Sequence, residues 1–192
     1  MPAPEFQIHG YAIVSADDRI ADSWGKTPQS LRNDADWAYF QDGLDRADLI
    51  ALGRLGHEAN PNIRRRRRLV VSGAARGLEQ RADAWWWNPA RIAWSEVATG
   101  LLPNGGRVAV PGGQGVFDLF LAIGYEAFHL TRARRVLLDG GRALFAACER
   151  GRDAAAVLRE AGLRPGVEET IDATADVTLT LWRKRRGAAE EG

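Results

Sequence analysis

Between Arg107 and Leu121 the chain reads Arg-Val-Ala-Val-Pro-Gly-Gly-Gln-Gly-Val-Phe-Asp-Leu-Phe-Leu: an apolar run of strand length, a glycine-rich turn, then an amphipathic segment. A strand that passes straight into a helix is the unit of layered α/β folds, so this stretch constrains the whole chain towards strands interleaved with helices. Gly112, Gly113 and Gly115 lack Cβ atoms, so backbone N–H groups there can approach a ligand where a helix begins, an arrangement suited to phosphate. The same residues also serve a tight strand-to-helix turn that holds no ligand.

The rest of the chain follows the same alternation. Phe6 to Val14 reads as a strand, and Ser15 to Pro28 as a polar loop punctuated by Gly25 and Pro28. Ser30 to Leu44 has helical composition, with Leu31, Ala35, Ala38 and Leu44 available to a core. Strands are expected at Asp48–Gly53, Leu69–Ser72 and Ala84–Trp87, followed by a short helix around Ser95–Thr99. Val116–Ile123 is expected as a helix, Glu126–Thr131 as a strand, and Arg152–Ala161 as a helix closed by Gly162. Val167–Ile171 and Asp176–Trp182 read as a terminal antiparallel pair, with Val177, Leu179 and Leu181 alternating against Thr178 and Thr180. In Trp85-Trp86-Trp87 alternate rings face opposite sides, which core packing plus one exposed ring explains. No internal repeat or long linker interrupts the pattern, so residues 1–185 are expected to form one domain and 186–192 a flexible tail.

Composition narrows the chemistry. Lysine and arginine number 26 against 25 aspartates and glutamates, a formal net charge of +1, so there is no global basic field for nucleic acid or an anionic membrane. The one local exception is the run Arg64 to Arg68. A lone cysteine, Cys148, excludes an intramolecular disulfide framework, and His9, His57 and His129 lack metal-ligand spacing, so no metal is expected. No leader pattern and no apolar run near the roughly 18 residues of a membrane span is present, which makes the cytoplasm the expected compartment.

Four stretches, in order, resemble the dihydrofolate reductase superfamily, which includes the reductase domain of riboflavin biosynthesis. Tyr11 to Ala21 resembles its nicotinamide-side loop, and Asp34-Ala-Asp-Trp-Ala-Tyr-Phe40 its carboxylate-bearing first helix. Leu52-Gly-Arg54 resembles its cofactor turn, and Pro111-Gly-Gly-Gln-Gly-Val-Phe117 its Gly-Gly turn and following helix. The resemblance continues through Phe128-His-Leu-Thr131 and Asp176 to Lys184, covering most of the chain. It implies a three-layer α/β fold with a central mixed, mostly parallel sheet and a C-terminal antiparallel strand pair.

It also implies NADPH as cofactor and a reduced pterin as substrate. Asp36 matches the family carboxylate that accepts two parallel hydrogen bonds from the pterin edge, and Thr131 the threonine that orients it. Asp34 and Asp36 are otherwise first-turn acids favoured by a helix dipole, with Asp34 the better candidate for that role. Arg54 and Ser72 match ligands of the 2′-phosphate, although Gly56 stands where the family commonly has a threonine on the pyrophosphate. Ala12, Ile20, Gly53, Gly112, Gly113, Gln114, Gly115 and Val116 complete the implied cofactor contacts. Tyr11, Phe40, Arg66, Pro111 and Phe117 would line the substrate side, with Arg66 clamping a glutamate α-carboxylate and Phe117 replacing a tyrosine near the reacting ring. Trp24 either covers the nicotinamide as a lid or packs its loop onto the body.

The activity so implied is hydride transfer to a dihydropterin, dihydrofolate or dihydromethanopterin, by a monomer or homodimer. Asp18-Arg-Ile-Ala21 and Gly140-Gly-Arg-Ala-Leu-Phe145 also resemble the riboflavin-pathway reductases, which makes a ribosylaminopyrimidine the rival substrate. A non-catalytic nucleotide-binding module is the reading from another class, because a fold does not guarantee its activity.

Overall fold

The computed structural model describes residues 4–185; the expected tail, 186–192, lies outside the described residues. In chain order the elements are β1 (Phe6–Ser15), β2 (Arg19–Ala21), α1 (Asp34–Asp45), β3 (Leu49–Gly53), α2 (Arg54–Ala59), β4 (Arg68–Val71), β5 (Leu78–Arg81), β6 (Ala84–Trp87), α3 (Trp94–Leu101), β7 (Gly106–Gly112), α4 (Gln114–Ile123), β8 (Ala127–Ala133), β9 (Arg142–Ala143), α5 (Ala154–Glu160), β10 (Leu163–Asp172) and β11 (Val177–Lys184). Nine strands form one sheet in the order β10-β11-β8-β1-β7-β3-β4-β6-β5. The stretch from β8 to β6 is parallel throughout. β5, β10 and β11 add antiparallel pairings at the two ends, so the sheet is mixed and mostly parallel, as expected.

Strand alternation distributes the apolar side chains into two cores. Leu49, Ala51, Leu69, Trp87, Val108, Val110 and Phe128 point to the face covered by α3, α4 and α5. Ile50, Leu52, Val70, Trp86, Ala109 and Tyr11 point to the face that α1 covers with Tyr39, Phe40 and Leu44. A central strand buried on both faces needs an unbroken apolar run, which is what Leu49-Ile-Ala-Leu52 supplies.

Several expectations change in the structure. The helix expected over Ser30–Leu44 is interrupted: a 3-10 turn at Gln29–Leu31 buries Leu31 against Ala133 and Val177, and the chain is extended at Arg32 and Asn33. Asn33 then caps α1, its side-chain oxygen accepting from the Asp36 N–H at 3.1 Å. None of the three central tryptophans leaves an exposed ring. Trp86 is covered edge-on by the His57 ring at 5.8 Å and by the Arg81 guanidinium at 4.1 Å, while Trp87 lies in the opposite core. The alternation expected in β11 does not produce one buried and one exposed face, because Val177, Thr178 and Leu179 are all buried, with the Thr178 hydroxyl on Glu168 at 3.2 Å. The short β2–β9 ladder and the edge strand β5 were not expected.

Candidate functional site

The connections out of β1 and β7 leave in opposite directions. From β1 the chain crosses by α1, over one face, to β3; from β7 it crosses by α4, over the other face, to β8. Such a switch point leaves a crevice at the carboxyl ends of the two strands, the usual ligand position in an open α/β sheet. Here the sheet itself parts. β1 and β7 pair only from Phe6/Gly106 to Gly10/Val110, after which β1 continues to Ser15 along β8 and β7 continues to Gly112 along β3. Backbone groups along a strand alternate between its two neighbours. The carbonyl of Ile8 faces the β8 side, where it accepts from the Glu126 N–H at 2.9 Å, so the even-numbered residues face β8 and the odd-numbered ones β7. Ala12, the expected cofactor contact on β1, therefore directs its backbone towards β8. Ile13 directs its own into the slot, and no feature of the local sequence distinguished the two.

On the β7 side the slot ends in the glycine turn. Gly112 and Gly113 have φ of 119° and 85°, conformations closed to residues with a Cβ, and a Cβ on Gly112 would lie 2.7 Å from the Phe117 ring. Gly113 caps α4, with its carbonyl accepting from the Val116 and Phe117 N–H groups. The N–H groups of Gln114 and Gly115 open this helix and have no acceptor within it, and the space beside Gly115 is open. The Gln114 side chain is turned away from that space: its amide donates to the Ala143 carbonyl and to Glu149, both at 3.0 Å. Glu149 also accepts from the Ala143 N–H at 2.8 Å and pairs with Arg19 at 2.6 Å. One carboxylate thus joins the helix start, β2 and β9. Ile20, between Arg19 and Ala21 on β2, is half-buried against the main core.

The neighbouring strand ends carry the expected phosphate ligands. Gly53 and Val71 are register partners, which sets Arg54 and Ser72 side by side at the carboxyl ends of β3 and β4. Gly53 caps α2 and stands against Val116. Arg54 is half-exposed and bonded to Glu58 at 2.9 and 3.0 Å. The Ser72 hydroxyl accepts from the Ala74 N–H at 3.3 Å.

On the far side of β1, Ile13 is paired with Thr131 of β8, and Thr131 is 1% exposed. Its side chain stands close enough to Asp36 to favour the ionised carboxylate. Burial pushes the Asp36 carboxyl above the usual range, and Thr131 opposes that shift. Asp34, two residues earlier, is exposed. Phe40 lies one turn on from Asp36, 5.6 Å from the ring of Trp37, which is 57% exposed. Below Asp36 the contact between α1 and the sheet is polar. Tyr39 bonds His129 Nδ1 at 2.5 Å, His129 Nε2 lies 3.2 Å from His9 Nδ1, and Tyr11 stacks on His129 at 4.3 Å. Gly43 lets α1 sit this close, since a Cβ there would meet the Tyr11 ring at 2.5 Å. Burial lowers His129 to about 3 and His9 to about 4, with Arg107 and Arg183 adding to both and His9 also lowering His129. Both imidazoles are therefore neutral at physiological pH.

Other expected residues occupy different surroundings. Phe117 is 2% exposed and packs between Phe128 and Phe145 in the core on the α4 face, so its ring is not a wall of the slot. Tyr11 is buried beneath α1, and Val116 is buried beside Gly53. Pro111 is half-buried at the penultimate position of β7. The side chain of Arg66 is 14% exposed and already held by Asp45 at 2.6 Å and by the Gln41 amide at 2.8 Å. Trp24 is 86% exposed, so it does not pack its loop onto the body.

No protein-family model and no curated protein sequence matches the chain. Solved structures do. A protein assigned to riboflavin biosynthesis from Shewanella sp. PV-4 superposes with a TM-score of 0.65 at 18% identity, over 94% of this chain and 100% of that one. Dihydrofolate reductase from Enterococcus faecalis, complexed with NADP(H) and RAB-propyl, superposes with a TM-score of 0.67 at 13% identity, over 96% and 100%. The diaminohydroxyphosphoribosylaminopyrimidine deaminase/5-amino-6-(5-phosphoribosylamino)uracil reductase of Thermotoga maritima gives 0.66 at 12%, over 94% of this chain and 57% of that one. Strand order, the switch point between β1 and β7 and these superpositions agree: the chain has the fold of the dihydrofolate reductase superfamily.

Proposed function

We propose that the protein is an NADPH-dependent reductase that converts a dihydropterin, dihydrofolate or dihydromethanopterin, to its tetrahydro form. The observation that carries this reading is the parting of β1 from β7, which opens a slot with the glycine turn on one side and the Thr131–Asp36 pair beyond β1 on the other. A dinucleotide fits the residues present: a positive-φ glycine turn opening a ten-residue helix suits a pyrophosphate, and Arg54 with Ser72 suits a 2′-phosphate. When bound, the dihydronicotinamide supplies hydride to C6, and N5 takes its proton from solvent. The chain holds and orients. Asp36 accepts two parallel hydrogen bonds from the amidine-like edge of the pterin, Thr131 keeps the carboxylate aimed, and Phe40 with Trp37 offers the ring an apolar flank.

A second reading, reduction of a ribosylaminopyrimidine, is favoured by one observation. The β2–β9 ladder and the Leu144 N–H, bonded to the Asp18 carbonyl at 2.9 Å, join the two stretches that resemble riboflavin-pathway reductases. Following NADPH oxidation with dihydrofolate, dihydromethanopterin and the ribosylaminopyrimidine in turn separates the readings. Turnover of a dihydropterin supports the first, turnover of the pyrimidine alone replaces it with the second, and binding of NADPH without turnover of any of the three points to a nucleotide-binding module.

A further inference from the structure

The arginine run has a structural setting of its own. A groove of about 780 Å³ lies at the amino ends of β4 and β6, lined by Arg65 to Arg68, Arg81, Asp83 and Trp85, with no residue of α1 in its wall. The candidate reductase site is at the opposite ends of the same strands, about 13 Å away for four residues of extended chain. The groove is within the size range of small-molecule sites.

Its charges do not balance. Arg64 and Arg66 share Asp45, Arg81 is held by Glu79, and Asp83 faces the Nε2 of His57 at 3.5 Å. Arg65, Arg67 and Arg68 have no carboxylate partner among the described residues. Arg67 donates to the Leu101 carbonyl at 2.7 Å, and Arg68 to the Asn60 carbonyl at 2.7 Å and to His57 Nδ1 at 3.3 Å, all uncharged acceptors. The Nε of Arg68 is buried without any acceptor, and burial, only partly offset by Asp83, lowers the proton affinity of its guanidinium. A half-buried cation in this state is destabilising unless an anion completes it. The loop that presents these groups is tightly held. Asn62 accepts from the Arg66 N–H at 3.0 Å and donates to the Arg66 carbonyl at 2.7 Å, and its own carbonyl takes the Arg65 N–H at 2.9 Å. Arg65 thereby adopts a φ of 51°, a left-handed conformation that a non-glycine residue holds at a cost.

We infer that this groove is a second binding site, for a small ligand carrying two or more phosphate groups. Arg65 and Arg68, both without carboxylate partners, call for more than one negative charge, and guanidinium forks match phosphate oxygens. Asp83 in the lining and a chain net charge of only +1 favour a compact anion over a long nucleic acid. The inference does not rest on the reductase reading.

Calorimetric titration of the full chain with inorganic tripolyphosphate at low ionic strength tests it. One molar equivalent is expected to bind, Arg65→Ala and Arg68→Gln each to weaken binding about tenfold or more, the scale of one charged hydrogen bond, and Arg32→Ala to leave it unchanged. Arg65 is exposed, so its variant keeps the fold even if the Arg68 variant does not. Absence of binding, equal binding by wild type and Arg65→Ala, or binding of an octathymidylate but not of tripolyphosphate would each overturn the inference.

Discussion

Asp34 and Asp36 share one helical turn, yet only the second is turned towards the sheet, where burial raises its pKa. Replacing Asp36 by asparagine keeps the shape and removes the carboxylate, so turnover at neutral pH is expected to fall by on the order of a hundredfold, while Asp34→Asn changes little. The sign for stability is opposite. A carboxyl whose folded pKa lies above its unfolded value favours the folded state at low pH, and that contribution is lost as pH rises through the folded pKa. Asp36→Asn should therefore melt higher than wild type at pH 7, with the difference closing as the pH approaches 4; an equal or lower midpoint at pH 7 would contradict the burial of this carboxylate. Arg54 gives a second residue-level test. Arg54→Ala is expected to weaken NADPH by about 1.5–3 kcal/mol and leave NADH almost unchanged. Because Glu58 now holds that guanidinium, Glu58→Gln should tighten NADPH, and equal losses for both cofactors in Arg54→Ala would remove Arg54 from the site. At this scale it was the resemblance of Trp37 to Phe40 to the family's first helix that selected Asp36 over Asp34. The sequence could not distinguish Ile13 from Ala12, because which backbone faces the slot is set by ladder partners more than 90 residues away.

Among the elements, α1 is seated on β1 and β8 through polar groups as well as apolar ones: Tyr39, His129 and His9 in a chain, with Tyr11 stacked on His129. Arg107 and Arg183 are the charges facing the histidines, and burial with Tyr11 beside it raises Tyr39 to about 12, keeping its hydroxyl a donor. Two imidazoles with folded pKa values of about 4 and about 3 take up fewer protons than the unfolded chain at mildly acidic pH. The stability they contribute is present above the unfolded value near 6.5 and is lost as pH falls from there through the folded values, at no more than about 1.4 kcal/mol per pH unit for each group. Melting midpoints from pH 7 to pH 4.5 should fall, and fall less steeply in His129→Gln; parallel curves would mean that the histidines do not titrate on unfolding. Element boundaries were legible where a strand or helix has its own punctuation. β6 occupies the expected Ala84–Trp87, whereas α1 starts late because Asn33 caps it, β2 and β9 are too short to show a period, and β5 carries one apolar residue in Leu-Glu-Gln-Arg.

For the whole molecule, the two cores share their strands. Leu52 belongs to the core under α1 and Leu69 to the core under α3, α4 and α5, one strand apart in the same sheet. Leu52→Ala and Leu69→Ala are each expected to cost about 2–5 kcal/mol. In both variants the denaturant transitions followed by far-ultraviolet ellipticity and by tryptophan fluorescence should coincide, and separated transitions would show that the layers unfold independently. The sequence alone determined that strands and helices alternate and that Gly112 and Gly113 end a strand and open a helix. These are local properties, written in periodicity, glycine and caps, whereas Asp36 and Thr131 were named as a pair only through the resemblance. Only the tertiary structure decided that β1 and β7 part beyond Gly10 and Val110, that Phe117 packs in the core and not in the slot, and that Arg66 is already held by Asp45. Each of these depends on which distant strand or helix becomes a neighbour, and pairing across the sheet is chosen by the burial of both faces at once, a condition that no single segment carries.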